Sequence, residues 1–143
     1  MADKETYSGN AAEPAGRIPP QAVDIEKAVL GAMLIEKEAT PKVLELLDST
    51  SFYNPTNQKI FQSMIALFEK GEPIDAVTVV EELRRRGSLN PVEDPAYITQ
   101  LTLNVTSSAN VEYYARIVLE KALMRSLRSE EHTSELQSPY VIS

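Results

Sequence analysis

Apolar residues recur every three or four positions along most of the chain, which is the spacing of one face of an α-helix. The pattern predicts a first helix from Asp24, as its N-cap, to about Glu38. Most of its circumference is apolar, which is typical of a helix at the centre of a domain. Gly31 lies mid-helix, where glycine costs about 1 kcal/mol relative to alanine. We interpret it as a point of close helix packing rather than a ligand contact. The main stripe comprises Ile25, Ala28, Val29, Ala32 and Ile35, widened by Leu30, Met33 and Leu34.

Three further helix starts are predicted where a capping side chain directly precedes a proline. Proline suits the first helical position, because its missing amide would be unsatisfied there anyway. The pairs predict a short helix from Pro41 to Leu47, a helix from Pro55 to about Lys70 and a helix from Pro95 to about Asn104. Gly71 is the predicted stop of the middle one, whose buried stripe is predicted to comprise Ile60, Phe61, Met64, Ile65 and Phe68. The three pairs are Thr40-Pro41, Asn54-Pro55 and Asp94-Pro95.

A β-branched run, Val77 to Val80, lies between the second and third of these helices and on its own would suit a strand. Asp75 as a cap, arginines in the last turn and Gly87 after them favour a helix from Asp75 instead. The arginine run from Arg84 to Arg86 fits the favourable position of cations at a helix C-terminus. Contact with a partner or with DNA stays open as the alternative for these arginines.

The last predicted helix runs from Ala109 to at least Leu127 and has two apolar sides. No strand pattern is convincing, so the predicted fold is all-α, a compact domain of five or six helices around one core. One domain covers only one side of such a helix, so we expect the other to face something else. The first side comprises Val111, Tyr114, Ala115, Val118 and Ala122, and the second comprises Ile117, Leu119, Leu123 and Met124.

The two ends of the chain differ from the middle. Residues 1–18 are polar and aperiodic, which predicts a disordered tail before a domain spanning 19–127. Residues 128–143 break the helical pattern, and Arg128 to Ser138 matches a one-frame translation of a common sequencing adapter. We expect 128–143 to be a non-native tail and exclude it from the functional argument. One arginine and three glutamates give it a net charge of −2, so the rest carries −5 of the total −7.

The composition excludes several kinds of site. The chain has no cysteine, and its one histidine, His132, lies in the adapter-like tail. None of the five glycines belongs to a GxxxxGK[ST] phosphate-binding loop. We therefore predict no catalytic, cofactor-binding or metal-binding residues in this chain. Its acidity disfavours primary contact with DNA and favours protein partners. The first residues carry no apolar run, so neither a secretory signal nor a membrane span is predicted.

A series of short phrases along residues 18–127 stands in a specific order and spacing. The phrases are Pro20-Gln21, Ala28 to Leu34, Phe52-Tyr53, Ile60-Phe61, Gly71, Ile74-Asp75, Val77 to Val79, Leu83, Ala96 to Ile98, Leu101, Ser108 to Asn110, Tyr114-Ala115, Ile117-Val118 and Glu120 to Arg125. Together they resemble the amino-terminal domain of bacterial DnaB-type replicative helicases. Two positions depart from the family pattern: Asn57 stands where the family often has histidine, and Glu93-Asp94 where it often has two glycines. Both lie near helix starts, where Asn and Asp serve well.

The resemblance implies a role as the collar domain of a homohexameric ring that unwinds DNA with ATP and Mg²⁺. The ATPase motor, which also contacts DNA, would lie beyond this chain, and the collar would receive primase and a helicase loader in the cytoplasm. Residues 109–127 would form the first arm of a helical hairpin. An acidic helical adaptor of other origin is the alternative, and an ATPase active on its own is disfavoured. The expected subunit or partner interface comprises Val111, Tyr114, Ile117, Val118, Leu119, Leu123 and Met124.

Overall fold

The computed structural model describes the backbone of residues 20–105 and 109–142 and the side chains of 22–105 and 109–128. The predicted tail of residues 1–18 therefore lies outside the described residues. Within the described part, helices are the only regular secondary structure and there is no strand, so the all-α prediction is confirmed. The elements are α1 (Pro20–Ile35), α2 (Ala39–Leu44), a 3-10 turn (Ser49–Ser51), α3 (Pro55–Glu69), α4 (Ala76–Arg85), α5 (Glu93–Leu103) and α6 (Val111–Ile142).

Helix α1 is the central helix, as its nearly all-round apolar pattern predicts. It packs against α2, α3, α5 and α6, and Val29, Leu30 and Met33 are fully buried. The helix begins at Pro20, so the prediction that Asp24 caps it was wrong. Proline fits the first helical turn, and Asp24 is an exposed residue inside the helix.

Gly31 marks the point where α1 lies closest to the end of α5. A Cβ atom at this position would lie 2.5 Å from the carbonyl oxygen of Leu101 and 2.4 Å from Cγ2 of Val105. Both distances are shorter than van der Waals contact, and the carbonyl belongs to the backbone. The interpretation of Gly31 as a site of close packing is therefore confirmed.

The local signals that bound α3 and α4 act as predicted. The Asn54 side chain accepts hydrogen bonds from the backbone N–H groups of Thr56 (2.8 Å) and Asn57 (3.2 Å). The Asp75 carboxylate accepts one from the N–H of Thr78 at 2.9 Å. Both helices end on a glycine in the left-handed region, Gly71 at φ 73° and Gly87 at φ 72°. This conformation carries little strain in glycine and lets the next residues bond back to the last turn.

The other two cap–proline pairs do not begin their helices. Helix α2 begins at Ala39, so Thr40 lies inside it and is buried, and its hydroxyl has no hydrogen-bond partner among the described residues. Helix α5 begins at Glu93, where the Asn90 side chain accepts from the N–H of Glu93 at 3.1 Å. Asp94 instead accepts from the N–H of Asn90 at 2.8 Å and pairs with Lys59 at 2.7 Å. In both cases a residue upstream supplies the helix start.

The core is formed by the inner faces of all six helices and by Phe52. Phe61 is completely buried and its ring centroid lies 4.8 Å from that of Phe52. Leu34 is also buried, which confirms both residues as core. Phe68 was expected on the buried stripe of α3, but it is 45% exposed and Leu67 takes the inner position.

Candidate functional site

Helix α6 presents one face to the core and leaves another uncovered. Val111, Ala115 and Val118, at intervals of four and three residues, are buried against the rest of the domain. Beyond them, Leu123 is 54% exposed and Met124 is 55% exposed. The helical backbone continues past Leu127 to Ile142, through the adapter-like segment. The exposed apolar part of α6 therefore follows directly after its core-packed part.

The structure divides the seven residues expected at an interface into three groups. Val111 and Val118 are buried in the core of their own domain, so their side chains are not part of an exposed surface. Tyr114 and Leu119 are half-buried and pack against the core. Ile117 is partly exposed, and Leu123 and Met124 remain largely exposed. The candidate surface is thus narrower than the sequence suggested.

Two exposed residues that the sequence analysis did not single out extend this surface. Tyr113 and Leu127 are each 63% exposed. Together with Ile117 and Met124 they occupy positions 113, 117, 124 and 127, which follow the alternating spacing of four and three residues found in helix-pairing seams. Glu120 fills the remaining position of the repeat. We call Tyr113, Ile117, Met124 and Leu127, with the adjacent Leu123, the α6 seam.

A cationic side chain ties the distal part of α6 to the domain. Arg125 donates a hydrogen bond from Nη2 to the backbone carbonyl of Ser51 at 2.9 Å. Its guanidinium carbon lies 5.4 Å from the centroid of the Tyr53 ring, within the range of a cation–π contact. Arg125, which anchors α6 to the domain, therefore lies on the side of the helix opposite the seam.

A buried polar network centred on Glu26 of α1 contacts the backbone of Tyr53. Its carboxylate accepts hydrogen bonds from the N–H of Tyr53 at 2.6 Å and from Nδ2 of Asn57 at 2.8 Å. The Asn57 carbonyl oxygen accepts in turn from the Tyr97 hydroxyl at 2.5 Å. Burial, together with the negative charge of Glu26, raises the pKa of Tyr97 to about 12. Asn57 therefore joins α1 to α5 and is not only a residue of a helix start.

The arginines at the end of α4 converge on a buried carboxylate. Glu82 pairs with Lys70 at 3.0 Å, with Arg86 at 3.7 Å and also with Arg85, while Arg84 pairs with Glu81. Burial alone would raise the pKa of Glu82, but the hydrogen bond from Lys70 and the charges of the two arginines outweigh it and lower the pKa. The cluster is thus accounted for by pairing within the domain, at the helix end that cations favour.

Two clefts open on the surface of the described residues. The larger, about 680 Å³, lies between the end of α1 and the turn after α3, with Ile35, Thr40 and Phe68 in its lining. The smaller, about 230 Å³, lies between α1 and α5, where Lys27 stands 5.7 Å from the centroid of the Tyr97 ring. Neither lining contains a histidine or a cysteine.

The described residues contain no group of three or more His, Cys, Asp or Glu side chains placed to hold a metal ion. Among them there is also no helix of the length and apolarity needed to cross a membrane. The arrangement that remains is a helical domain with an exposed apolar seam, which is suited to contact with other proteins.

Comparison with known proteins agrees with this architecture. The family model described as the DnaB-like helicase N-terminal domain matches residues 18–120. The replicative DNA helicase DnaB of Rhodothermus marinus is 53% identical over 113 residues, which are 79% of this chain and 12% of that protein. The replicative DNA helicase DnaB of Mycobacterium leprae is 44% identical over 131 residues, or 89% of this chain and 22% of that protein. The chain thus spans less than a quarter of the length of these relatives.

Two solved structures share the fold. The N-terminal domain of DnaB helicase from Mycobacterium tuberculosis superposes with a TM-score of 0.74 at 44% identity, covering 82% of this chain and 83% of that one. The N-terminal domain of DnaB helicase from Helicobacter pylori, described together with its interactions with primase, gives a TM-score of 0.71 at 20% identity and covers 82% and 92% of the two chains. The second likeness is one of fold alone.

Proposed function

Because the chain belongs to the DnaB-like helicase N-terminal domain family, we propose that it is the assembly and docking domain of a replicative helicase. In the whole protein it would contribute to the collar of a hexameric ring in the cytoplasm. Primase and a helicase loader would dock there, while a separate motor domain would use ATP and Mg²⁺ and contact DNA. None of the five glycines in the sequence belongs to a GxxxxGK[ST] motif, so no step of ATP hydrolysis is assigned to this chain's residues.

The α6 seam is the observation that carries the assembly role. A run of apolar side chains at helix-pairing spacing, left largely exposed, tends to mark an interface or a site of aggregation. The opposite face of the same helix is already used by the core through Val111, Ala115 and Val118. The seam is therefore available to a second helix, either a further arm of a hairpin or the α6 of another subunit. Residues 19–127 would form the native domain, with 109–127 as the first arm and 128–143 as a non-native tail.

We expect the purified chain to form concentration-dependent dimers, and Leu123→Glu to shift it to monomer. A carboxylate placed in an apolar contact loses its hydration without gaining a partner, which opposes pairing. Analytical ultracentrifugation over a range of concentrations measures the change. Leu103→Glu is the matched control, because Leu103 is 75% exposed and lies on α5 rather than on α6. If the parent chain is monomeric at every concentration, or if both substitutions act alike, the seam is not a subunit interface.

Primase docking calls for a separate measurement. We expect the chain to bind purified primase from Rhodothermus marinus, whose replicative helicase is 53% identical over the aligned 113 residues. Isothermal titration calorimetry measures this binding, with an unrelated helical protein of similar size and acidity as control. The Leu123→Glu chain is included so that a monomer is also tested. Absence of binding to both forms would contradict the docking role and favour the stand-alone adaptor.

A further inference from the structure

We propose that Arg125 sets the direction in which the distal part of α6 leaves the domain. The helix meets the core through Val111, Ala115 and Val118. Continued at the same alternating spacing, this stripe passes through Ala122 and reaches position 125. An arginine therefore stands where the pattern would place another core residue, and it contacts the corner formed by Ser51 and Tyr53 instead.

The corner that receives Arg125 is held in place by hydrogen bonds that do not involve the arginine. Asp48 caps the 3-10 turn by accepting from the N–H of Thr50 at 2.9 Å, and its own N–H donates to Oγ of Ser51 at 3.0 Å. On the other side, the N–H of Tyr53 donates to Glu26 at 2.6 Å. The Ser51 carbonyl and the Tyr53 backbone are thus held with respect to α1. A contact to them fixes α6 with respect to the same helix.

The chemistry of arginine suits both contacts at once. Its planar guanidinium can donate in the plane to a carbonyl and lie against an aromatic ring. A lysine carries the charge but lacks this planar fork, so it would hold the helix less closely. Arg116 provides a contrast on the same helix, because its recorded ion pair is to Glu112 within α6, at 2.7 Å. That pair cannot orient the helix relative to the domain.

The consequence of losing the contact follows from helix geometry. Position 126 lies eight residues beyond Val118, the last fully buried position of α6, a distance of about 12 Å along the helix axis. A swing of about 20° around Val118 would then displace position 126 by about 4 Å, by the same geometry. The seam residues Leu123, Met124 and Leu127 would turn with it. The proposal concerns this angle and holds whether or not the seam pairs with another chain.

Distances between spin labels test the proposal. The chain has no cysteine, so exposed positions can be labelled in pairs, Gln62→Cys with Ser126→Cys and Lys42→Cys with Ser126→Cys. Labelled chain is diluted into a large excess of unlabelled chain, so that only distances within one molecule are read by double electron–electron resonance. We expect Arg125→Ala to shift or broaden both distributions by about 4 Å, the displacement derived above. Arg116→Ala should leave both distributions unchanged, and Arg125→Lys should give an intermediate result.

Further variants separate an orienting contact from a general loss of structure. Tyr53→Ala should broaden the distributions in the same direction as Arg125→Ala, while Tyr53→Phe, which keeps the ring, should not. Far-UV circular dichroism and the melting temperature are recorded for each protein to establish that it is folded. Distributions for folded Arg125→Ala that match the parent would overturn the proposal. It would be overturned equally if Arg116→Ala produced the same broadening.

Discussion

Replacing Phe61 with alanine should lower the free energy of unfolding by about 3 to 5 kcal/mol, the usual cost of removing a buried aromatic ring. Phe61 is completely buried in α3 and packs on Phe52 with ring centroids 4.8 Å apart. The substitution removes apolar contact area and leaves a cavity that the surrounding side chains cannot fully close. Urea unfolding followed by circular dichroism measures the change.

Phe68→Ala is the matched control for this experiment. It is the same chemical change on the same helix, but Phe68 is 45% exposed. A substitution at such a position should cost about 1 kcal/mol or less, because much of the ring already contacts solvent. Equal losses for the two variants would mean that the buried face of α3 is assigned incorrectly.

The second large effect is expected at Glu26. Its replacement by alanine removes the acceptor for the Tyr53 N–H and for Nδ2 of Asn57, both within a largely buried network. Leaving two such donors unpaired should lower the free energy of unfolding by about 2 to 4 kcal/mol. Glu26→Gln should cost less, since one oxygen still accepts, although its amide nitrogen then faces a donor. Asp24→Ala, an exposed change on the same helix, should have little effect.

Tyr97 offers a second readout of the same substitution. In the folded protein its pKa is raised to about 12, and the charge of Glu26 contributes to this after burial. A raised pKa favours the neutral phenol in the fold. The associated stability is present below the ordinary pKa of about 10 and is lost as the pH rises towards 12. Glu26→Ala should therefore lower the pKa of Tyr97. Tyrosinate absorbance measures this change, with the Tyr97→Phe protein as the reference that isolates the signal of Tyr97. An unchanged titration would show that Glu26 and Tyr97 are not coupled.

Features encoded by neighbouring residues were predictable from the sequence. Asn54 and Asp75 cap their helices because each carboxylate or amide bonds to an N–H two or three residues ahead. Gly71 ends α3 because glycine readily adopts a positive φ. In each case the deciding interaction lies within a few positions, so composition and spacing suffice to locate it.

Features that depend on distant residues were not predictable in the same way. The donors to Glu26 come from Tyr53, Asn54 and Asn57, which are 27, 28 and 31 residues away. Arg125 bonds to a carbonyl 74 residues away. Periodicity carries no signal for such pairs. One of the wrongly predicted caps also depends on a distant residue. Asp94 forms an ion pair with Lys59 of α3 at 2.7 Å. Spacing also placed Phe68 on the buried stripe of α3, where Leu67 is buried instead.

The absence of a side chain at Gly31 restricts how α1 and α5 can slide along each other. The carbonyl of Leu101 occupies space that a Cβ would need, at 2.5 Å. A shift of α1 by one turn would bring Lys27, Ala28, Leu34 or Ile35 to that carbonyl, and each of them has a Cβ. The two helices therefore share a single longitudinal register, and neighbouring registers are excluded by steric overlap rather than disfavoured by a weaker fit. A residue with no side chain thus specifies the alignment of the central helix.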